Sequence, residues 1–362
     1  LVEPVAVDLG HAEVADQVVE RPRAACEALR PMRVAFLGSP PFAVPIFARL
    51  CASAHAPVVL VTQPDKPKGR GMKVEPSPLA ASAAALGIPV LQPATTKDPA
   101  FAAALRSFAP DVLLVASYGE ILRRDVLELA PHGALNVHAS LLPRWRGASP
   151  IQAALLAGDA ETGVCVQRMV LALDEGDVVL ARRTPIGAHE NAGELLQRLA
   201  LLGAELALEA LDLVASGTAR FTPQDPAHAT FARKIPKERG RIDWTRSASE
   251  LDRHVRAFTP WPGARTSLAG QDVTLVDVRE APHAPLARHE PGALTQTKDG
   301  LWVACGSGAL RILSDRLGRN ARRHHCLHPD RPLATRSDSV RHCRGRHHRA
   351  GLWFNAQGRR GG

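Results

Sequence analysis

Asn136 and His138 stand two residues apart at the end of an apolar run. A Leu-Leu-Pro turn and a basic, aromatic loop, Arg144-Trp145-Arg146-Gly147, follow them. On a strand, residues i and i+2 point to one face, so the two side chains can address a single reacting group. An amide donates hydrogen bonds without titrating, which suits a developing oxyanion. An imidazole, with an ordinary pKa of about 6.5, suits a base for a proton. Taken alone, a His that ends a buried strand is more often a hydrogen-bonded core residue. A carboxylate that could orient such a base occurs downstream at Asp174, in Leu173-Asp174-Glu175-Gly176-Asp177. Ordinary turn chemistry also favours Asp and Gly there.

A second segment of chemical interest is Gln63-Pro64-Asp65-Lys66-Pro67-Lys68-Gly69-Arg70-Gly71-Met72-Lys73. Its basic residues sit on a Pro/Gly backbone that reads as neither helix nor strand. It is either a solvated surface loop or a set of phosphate contacts, with Lys68 and Lys73 placed for sequence-independent ones.

These residues need a scaffold. Arg33–Leu37 reads as a strand that runs into a Gly-Ser-Pro-Pro turn. Strands are expected again at 58–61, 89–91, 111–116 and up to His138, with helices at 79–86, 100–108 and from about Glu120. Strands alternating with helices indicate a doubly wound, mainly parallel, Rossmann-like α/β sheet. Such sheets bind ligands at the carboxyl ends of their strands, where Asn136 and His138 fall. A long helix spans about 192–215, and a polar, Pro-containing linker, 217–236, follows it. Beyond lie Arg241-Ile242-Asp243-Trp244, a helix near 248–258, Trp261-Pro262-Gly263, and strand-like runs at 273–278 and 301–313. Short strands with Gly-rich turns suggest a small OB-like β-barrel. The expected organisation is an extension at 1–31, a catalytic domain at 32–216, the linker at 217–236, and a barrel at 237–313, incomplete as written. An atypical tail, read as frameshifted or disordered, occupies 314–362.

The net charge of +9 over 362 residues invites a nucleic-acid partner, but the last 49 residues carry all of it, with 12 Arg, no Lys and 3 Asp. Residues 1–313 balance at 33 basic and 33 acidic, so any RNA-binding argument rests on local patches. Six cysteines without CxxC spacing fit free thiols in a reducing cytoplasm rather than disulfides or zinc. The His/Cys cluster at 324–328 is read as composition bias, and no metal is expected. No apolar stretch long enough for a membrane span is present. Gly38–Phe42 lacks G-x-G-x-x-G and nothing matches a Walker loop, which argues against a dinucleotide or ATP site.

Asn-Val-His, Ser-Leu-Leu-Pro, Trp-Arg-Gly and Pro150-Ile151-Gln152 together closely resemble the signature of the folate-dependent formyltransferases, a likeness that runs from about Met32 to about Leu313. Within that family the chain is most similar to the members that act on methionyl-tRNA. The resemblance implies transfer of a formyl group from 10-formyltetrahydrofolate to the α-amino group of methionyl-initiator-tRNA, by a cytoplasmic monomer. It implies Asn136 as oxyanion donor, His138 as base, and Asp174, matching a Leu-Asp-x-Gly loop, as the group that orients His138. Ser140, Leu141, Leu142 and Pro143 would line the folate pocket, with Tyr118 on its other wall. Trp145 and Arg146 are left between ligand contact and surface packing. Arg70 matches the Arg of a Gly-Arg-Gly loop that enters the acceptor stem, and Met72 departs from the pattern where many relatives are basic. Phe42 would wall the methionyl pocket, and Lys234 and Lys237 would follow the tRNA backbone. The alternatives are a formyltransferase for an amino sugar or a glycinamide nucleotide, a formyl-folate hydrolase, and a non-catalytic RNA-binding relative.

Overall fold

The computed structural model describes residues 30–65, 67–68, 73–268, 271–281, 289–297 and 300–317. In chain order the first domain holds β1 (Val34–Gly38), α1 (Ala43–Cys51), β2 (Pro57–Val61), the short strands β3 (Pro67–Lys68) and β4 (Lys73–Val74), α2 (Pro78–Ala85) and β5 (Val90–Leu91). It continues with α3 (Pro99–Ser107), β6 (Val112–Ala116), α4 (Arg124–Leu127), β7 (Ala134–His138), β8 (Arg146–Gly147), α5 (Pro150–Ala157), β9 (Glu161–Arg168), β10 (Val178–Pro185) and α6 (Ala192–Ala215). After β11 (Phe231–Ala232), the second domain consists of α7 (Ala248–Phe258) and five strands. These are β12 (Ala264–Leu268), β13 (Gln271–Glu280), β14 (Leu294–Thr297), β15 (Gly300–Ala304) and β16 (Ala309–Leu317).

The first sheet has the order β10-β9-β7-β6-β1-β2-β5. Its pairs from β5 to β7 are parallel, and β9 and β10 add antiparallel strands at one edge. β1 is buried at every residue, and its alternation divides two cores. Val34 and Phe36 pack with α1, α2 and α6, whereas Ala35 and Leu37 pack with α3 and α4. The chain winds outward from β1 to β2 and β5, then returns to β6 on the other side of β1. That reversal opens a crevice at the carboxyl ends of β1 and β6, which Ser39 Oγ spans by donating to the Tyr118 carbonyl at 3.1 Å.

Three local expectations change. No helix starts near Glu120. Thr96 Oγ1 donates to the Ile121 carbonyl and Arg123 donates to the Lys97 carbonyl, tying the chain to the 96–97 loop ahead of the four-residue α4. The segment read as neither helix nor strand contains the β3–β4 pairing, Pro67 with Val74 and Lys68 with Lys73. The single run expected over 301–313 is two strands, because Gly306 and Gly308 turn the chain between β15 and β16. A Cβ at Gly306 would lie 1.8 Å from the Thr245 carbonyl oxygen, so only glycine passes there.

The second domain is an antiparallel sheet in the order β12-β13-β16-β15-β14, and among the described residues no pairing joins β12 to β14. β16 pairs with β13 as far as Leu317, past the expected end at 313. α7 covers this sheet through Leu251 and Val255, while Ala257 and Phe258 belong to the first domain's core. Residues 1–29 and 318–362, with the tail's His and Cys residues, lie outside the described residues. No helix among the described residues is long and apolar enough to cross a membrane.

Candidate active site

β7 presents its side chains to two faces. Leu135 and Val137 enter the core beneath α6, so Asn136 and His138 share the opposite face. Across the antiparallel pairing, Asn136 stands opposite Gln167 and His138 opposite Cys165. The 174–176 turn after β9 folds back over these positions. Its shape is strictly specified: Asp174 adopts a left-handed φ of 52°, and a Cβ at Gly176 would sit 1.7 Å from the Arg168 carbonyl oxygen.

This turn brings Asn136, His138 and Asp174 together. Asp174 Oδ1 lies 3.8 Å from His138 Nδ1 and accepts from Asn136 Nδ2 at 3.5 Å and Gln167 Nε2 at 2.9 Å. Its Oδ2 accepts the Gly147 N–H at 2.8 Å. The carboxylate is thus held by groups other than the imidazole. On the far side of the ring, Nε2 lies 3.0 Å from the Trp145 carbonyl oxygen. A carbonyl only accepts, so Nε2 carries the hydrogen and the Nδ1 lone pair faces Asp174. His138 is buried, at 6% exposure, while Asn136 is half-buried. Chemically, the set offers an amide with a second N–H left over, a base at Nδ1, and an anion ready to pair with the protonated ring.

The turn after β7 is built to stay rigid. Ser140 is fully buried and donates to the Arg144 carbonyl at 2.6 Å, closing its own turn, so its hydroxyl is committed to the backbone. Leu142 N–H donates to Cys165 Sγ at 3.4 Å, and burial pushes that thiol up to about 12, which keeps it neutral. Leu141, Leu142 and Pro143 are half-buried. Trp145 and Arg146 act as braces. The Trp145 indole donates to Asp159, beneath the Arg144 guanidinium, and Arg146 is 4% exposed and paired with Glu175 at 3.0 Å. Tyr118 follows β6 and is buried. Burial pushes its phenol up to about 12, with the Glu120 carboxylate adding to the effect, so the hydroxyl stays neutral.

Phe42 caps α1 near the end of β1 and packs into the main core at 5% exposure. Lys234 and Lys237 are exposed. Arg70 lies outside the described residues. Lys68 and Lys73 are described only through the backbone of β3 and β4. A separate cleft of about 690 Å³, lined by His132, Arg168, Met169 and Phe221 among others, opens at the amino end of β7, away from this cluster. Among the described residues, no group of three or more His, Cys, Asp or Glu is placed to hold a metal ion.

Two residues of the site escaped the sequence reading. Gln167, 1% exposed, was detectable as a polar side chain directly after the apolar run Val164-Cys165-Val166. Gln224 comes from the segment read as a linker and gave no such signal. That segment is built into the first domain. Thr222 exchanges two 2.9 Å backbone bonds with Val178, β11 pairs with β8, and Thr230 Oγ1 accepts the Trp145 N–H at 2.9 Å.

Residues 32–211 match the family model described as Formyl transferase, and 234–322 match Formyl transferase, C-terminal domain. Among solved structures, an N-formyltransferase from Helicobacter canadensis, in complex with folinic acid and dTDP-3-aminofucose, shares the fold. Its TM-score is 0.59 at 14% identity, over 79% of this chain and all of that one. HypX from Aquifex aeolicus in complex with tetrahydrofolic acid gives a TM-score of 0.57 at 18% identity. The match covers 79% of this chain and 44% of the HypX chain. Methionyl-tRNA formyltransferase from Xanthomonas campestris is 47% identical over 78% of this chain and 91% of its own length. The enzyme of that name from Anaeromyxobacter dehalogenans is 49% identical over the same shares. Two domain matches in the right order and identity at this level over nearly the whole of each relative leave one assignment: the chain belongs to the methionyl-tRNA formyltransferase family.

Proposed function

We propose that this protein transfers the formyl group of 10-formyltetrahydrofolate to the α-amino group of methionyl-initiator-tRNA. The observation that carries the reading is the convergence of Asn136, His138 and Asp174 at the carboxyl end of β7 in a chain of this family. The amine attacks the formyl carbon, and the carbonyl electrons move to oxygen. Asn136 Nδ2 donates to that oxyanion, and His138 Nδ1 takes the proton lost by the nitrogen. The charged ring is stabilised between the Asp174 carboxylate and the Trp145 carbonyl. Collapse breaks the bond from the formyl carbon to folate N10, which leaves with a proton from His138. The products are the formylated amine and tetrahydrofolate, and no net proton is consumed.

In this reading the folate lies against the turn from Ser140 to Pro143, with Tyr118 across from it, and Phe42 marks the methionyl side. Arg70, Lys68 and Lys73 engage the acceptor stem, and Lys234 and Lys237 follow the tRNA backbone from the edge of an OB-like second domain. The protein works as a cytoplasmic monomer. The test offers initiator methionyl-tRNA, elongator methionyl-tRNA and a formylatable amino sugar in parallel, with 10-formyltetrahydrofolate as donor. Formylation of the initiator tRNA is the expected result. Transfer to the sugar alone would keep the catalytic trio and overturn the acceptor.

A further inference from the structure

We infer that Gln224 is a positioning residue for this reaction, holding the turn that carries Asp174 so that the carboxylate stays at His138. The inference takes the proposed chemistry of Asp174 as its starting point. Gln224 Nε2 donates to the Asp174 carbonyl at 2.8 Å and the Gly176 carbonyl at 2.7 Å, and lies 3.2 Å from Gln167 Oε1. Its own Oε1 accepts from Arg146 Nε at 3.0 Å. One amide therefore binds two backbone carbonyls of a turn whose Asp174 sits at positive φ, a conformation side chains rarely hold without outside support.

The grip is closed from the other side. Arg146, which Gln224 holds, also pairs with Glu175 of the same turn, and Gly147 N–H binds the Asp174 carboxylate itself. Arg146 and Gly147 form β8, which pairs with β11, and β11 belongs to the same segment as Gln224. The route from α6 to the second domain thus fastens the loop after β9 to the loop after β7. Nothing in this arrangement requires Gln224 to touch a substrate, so its effect passes through Asp174.

The test is a double-mutant cycle of Gln224→Met with Asp174→Asn in the full chain, scored as kcat and KM for folate and acceptor. Gln224→Met is expected to lower kcat at least about tenfold while both KM values change less than about twofold. In the Asp174→Asn background it should cost less than about twofold more, because both changes act through one carboxylate. Gln224→Glu keeps the oxygen facing Arg146 but sets an oxygen against the two carbonyls, and should show the same loss. An unchanged kcat in Gln224→Met, or the full loss repeated on top of Asp174→Asn, would overturn the inference. A crystal structure of Gln224→Met supplies a reading independent of turnover. A displaced Asp174 carboxylate is expected, and an unmoved one overturns the role. If wild-type protein formylates an acceptor other than methionyl-tRNA, the cycle is measured on that acceptor, so the two readings fail separately.

Discussion

The imidazole of His138 is held at its Nε2 by the carbonyl oxygen of Trp145, 3.0 Å away, and not by Asp174. Trp145 reaches that position at a left-handed φ of 61°, braced by Thr230 and Asp159. The tautomer is therefore a property of the loop after β7, and in the proposed mechanism Nδ1 is the atom that takes the proton.

This division of labour separates two substitutions. His138→Ala should lower kcat by about 10²–10⁴-fold, the range for loss of a general base. Asn136→Ala should lower it by about 10²–10³-fold, the range for one oxyanion donor. Both should leave folate binding within about twofold, measured by fluorescence titration, because neither change removes a donor's binding surface. Near-normal turnover in either variant would remove that residue from the mechanism.

Arg70→Ala should raise KM for initiator tRNA and leave KM for the folate unchanged. A lost phosphate or base contact should also shallow the salt dependence of tRNA use by about one unit of slope. Equal rates on initiator tRNA before and after the substitution would show that this loop does not meet the acceptor.

Gly176→Ala is expected to be severe. Its Cβ would overlap the Arg168 carbonyl, so the turn must open or β9 must bend. Either response displaces Asp174, and kcat should fall with a loss of melting temperature, read by calorimetry. Gly217→Ala makes a useful contrast, since nothing lies within 4 Å of its Cβ and only its φ of 70° opposes it. It should cost about 1 kcal/mol and leave kcat intact.

His254 on α7 sets an acid limit. It is 5% exposed, packs edge-on to Phe258, and its Nε2 has no partner. Burial pushes the imidazole down to about 4, and Arg246 and Arg239 act in the same direction against a backbone hydrogen bond at Gly240. In the unfolded chain it protonates near its ordinary value of about 6.5. Between those limits the unfolded state binds the extra proton, so stability falls as pH falls from about 6.5 to about 4. The loss is on the order of 3 kcal/mol. His254→Leu should flatten that slope in denaturant titrations taken across the window, and an unchanged slope would place the sensitivity elsewhere.

The clustering of Asn136, His138 and Asp174 was legible because a two-residue spacing on a strand and an Asp-x-Gly turn are local patterns, and the family resemblance joined them. β1 and β6 were equally plain, being apolar runs buried on both faces. What escaped was tertiary. Gln224 lies among Thr222, Pro223 and Asp225, where no periodicity marks it, and its value comes from carbonyls 50 and 48 residues away. Trp145 and Arg146 look like ligand contacts by type, yet Asp159, Glu175 and Gln224 engage them first. The chain before α4 is tied to a distant loop, with the Ile121 carbonyl accepting from Thr96 and the Arg123 side chain donating to the Lys97 carbonyl, a competition that local propensity does not register.

Ala257 and Phe258, the last two residues of α7, pack into the first domain's core beneath α6, and Gly193 N–H donates to the Thr259 carbonyl at 3.1 Å beside them. The second domain therefore has no hinge of its own at α7. Heat should melt both domains in one cooperative event, with calorimetric and van't Hoff enthalpies in agreement. If Lys234 and Lys237 follow the tRNA backbone as proposed, their separation from Asp174 becomes a fixed gauge, which the acceptor must satisfy by its length.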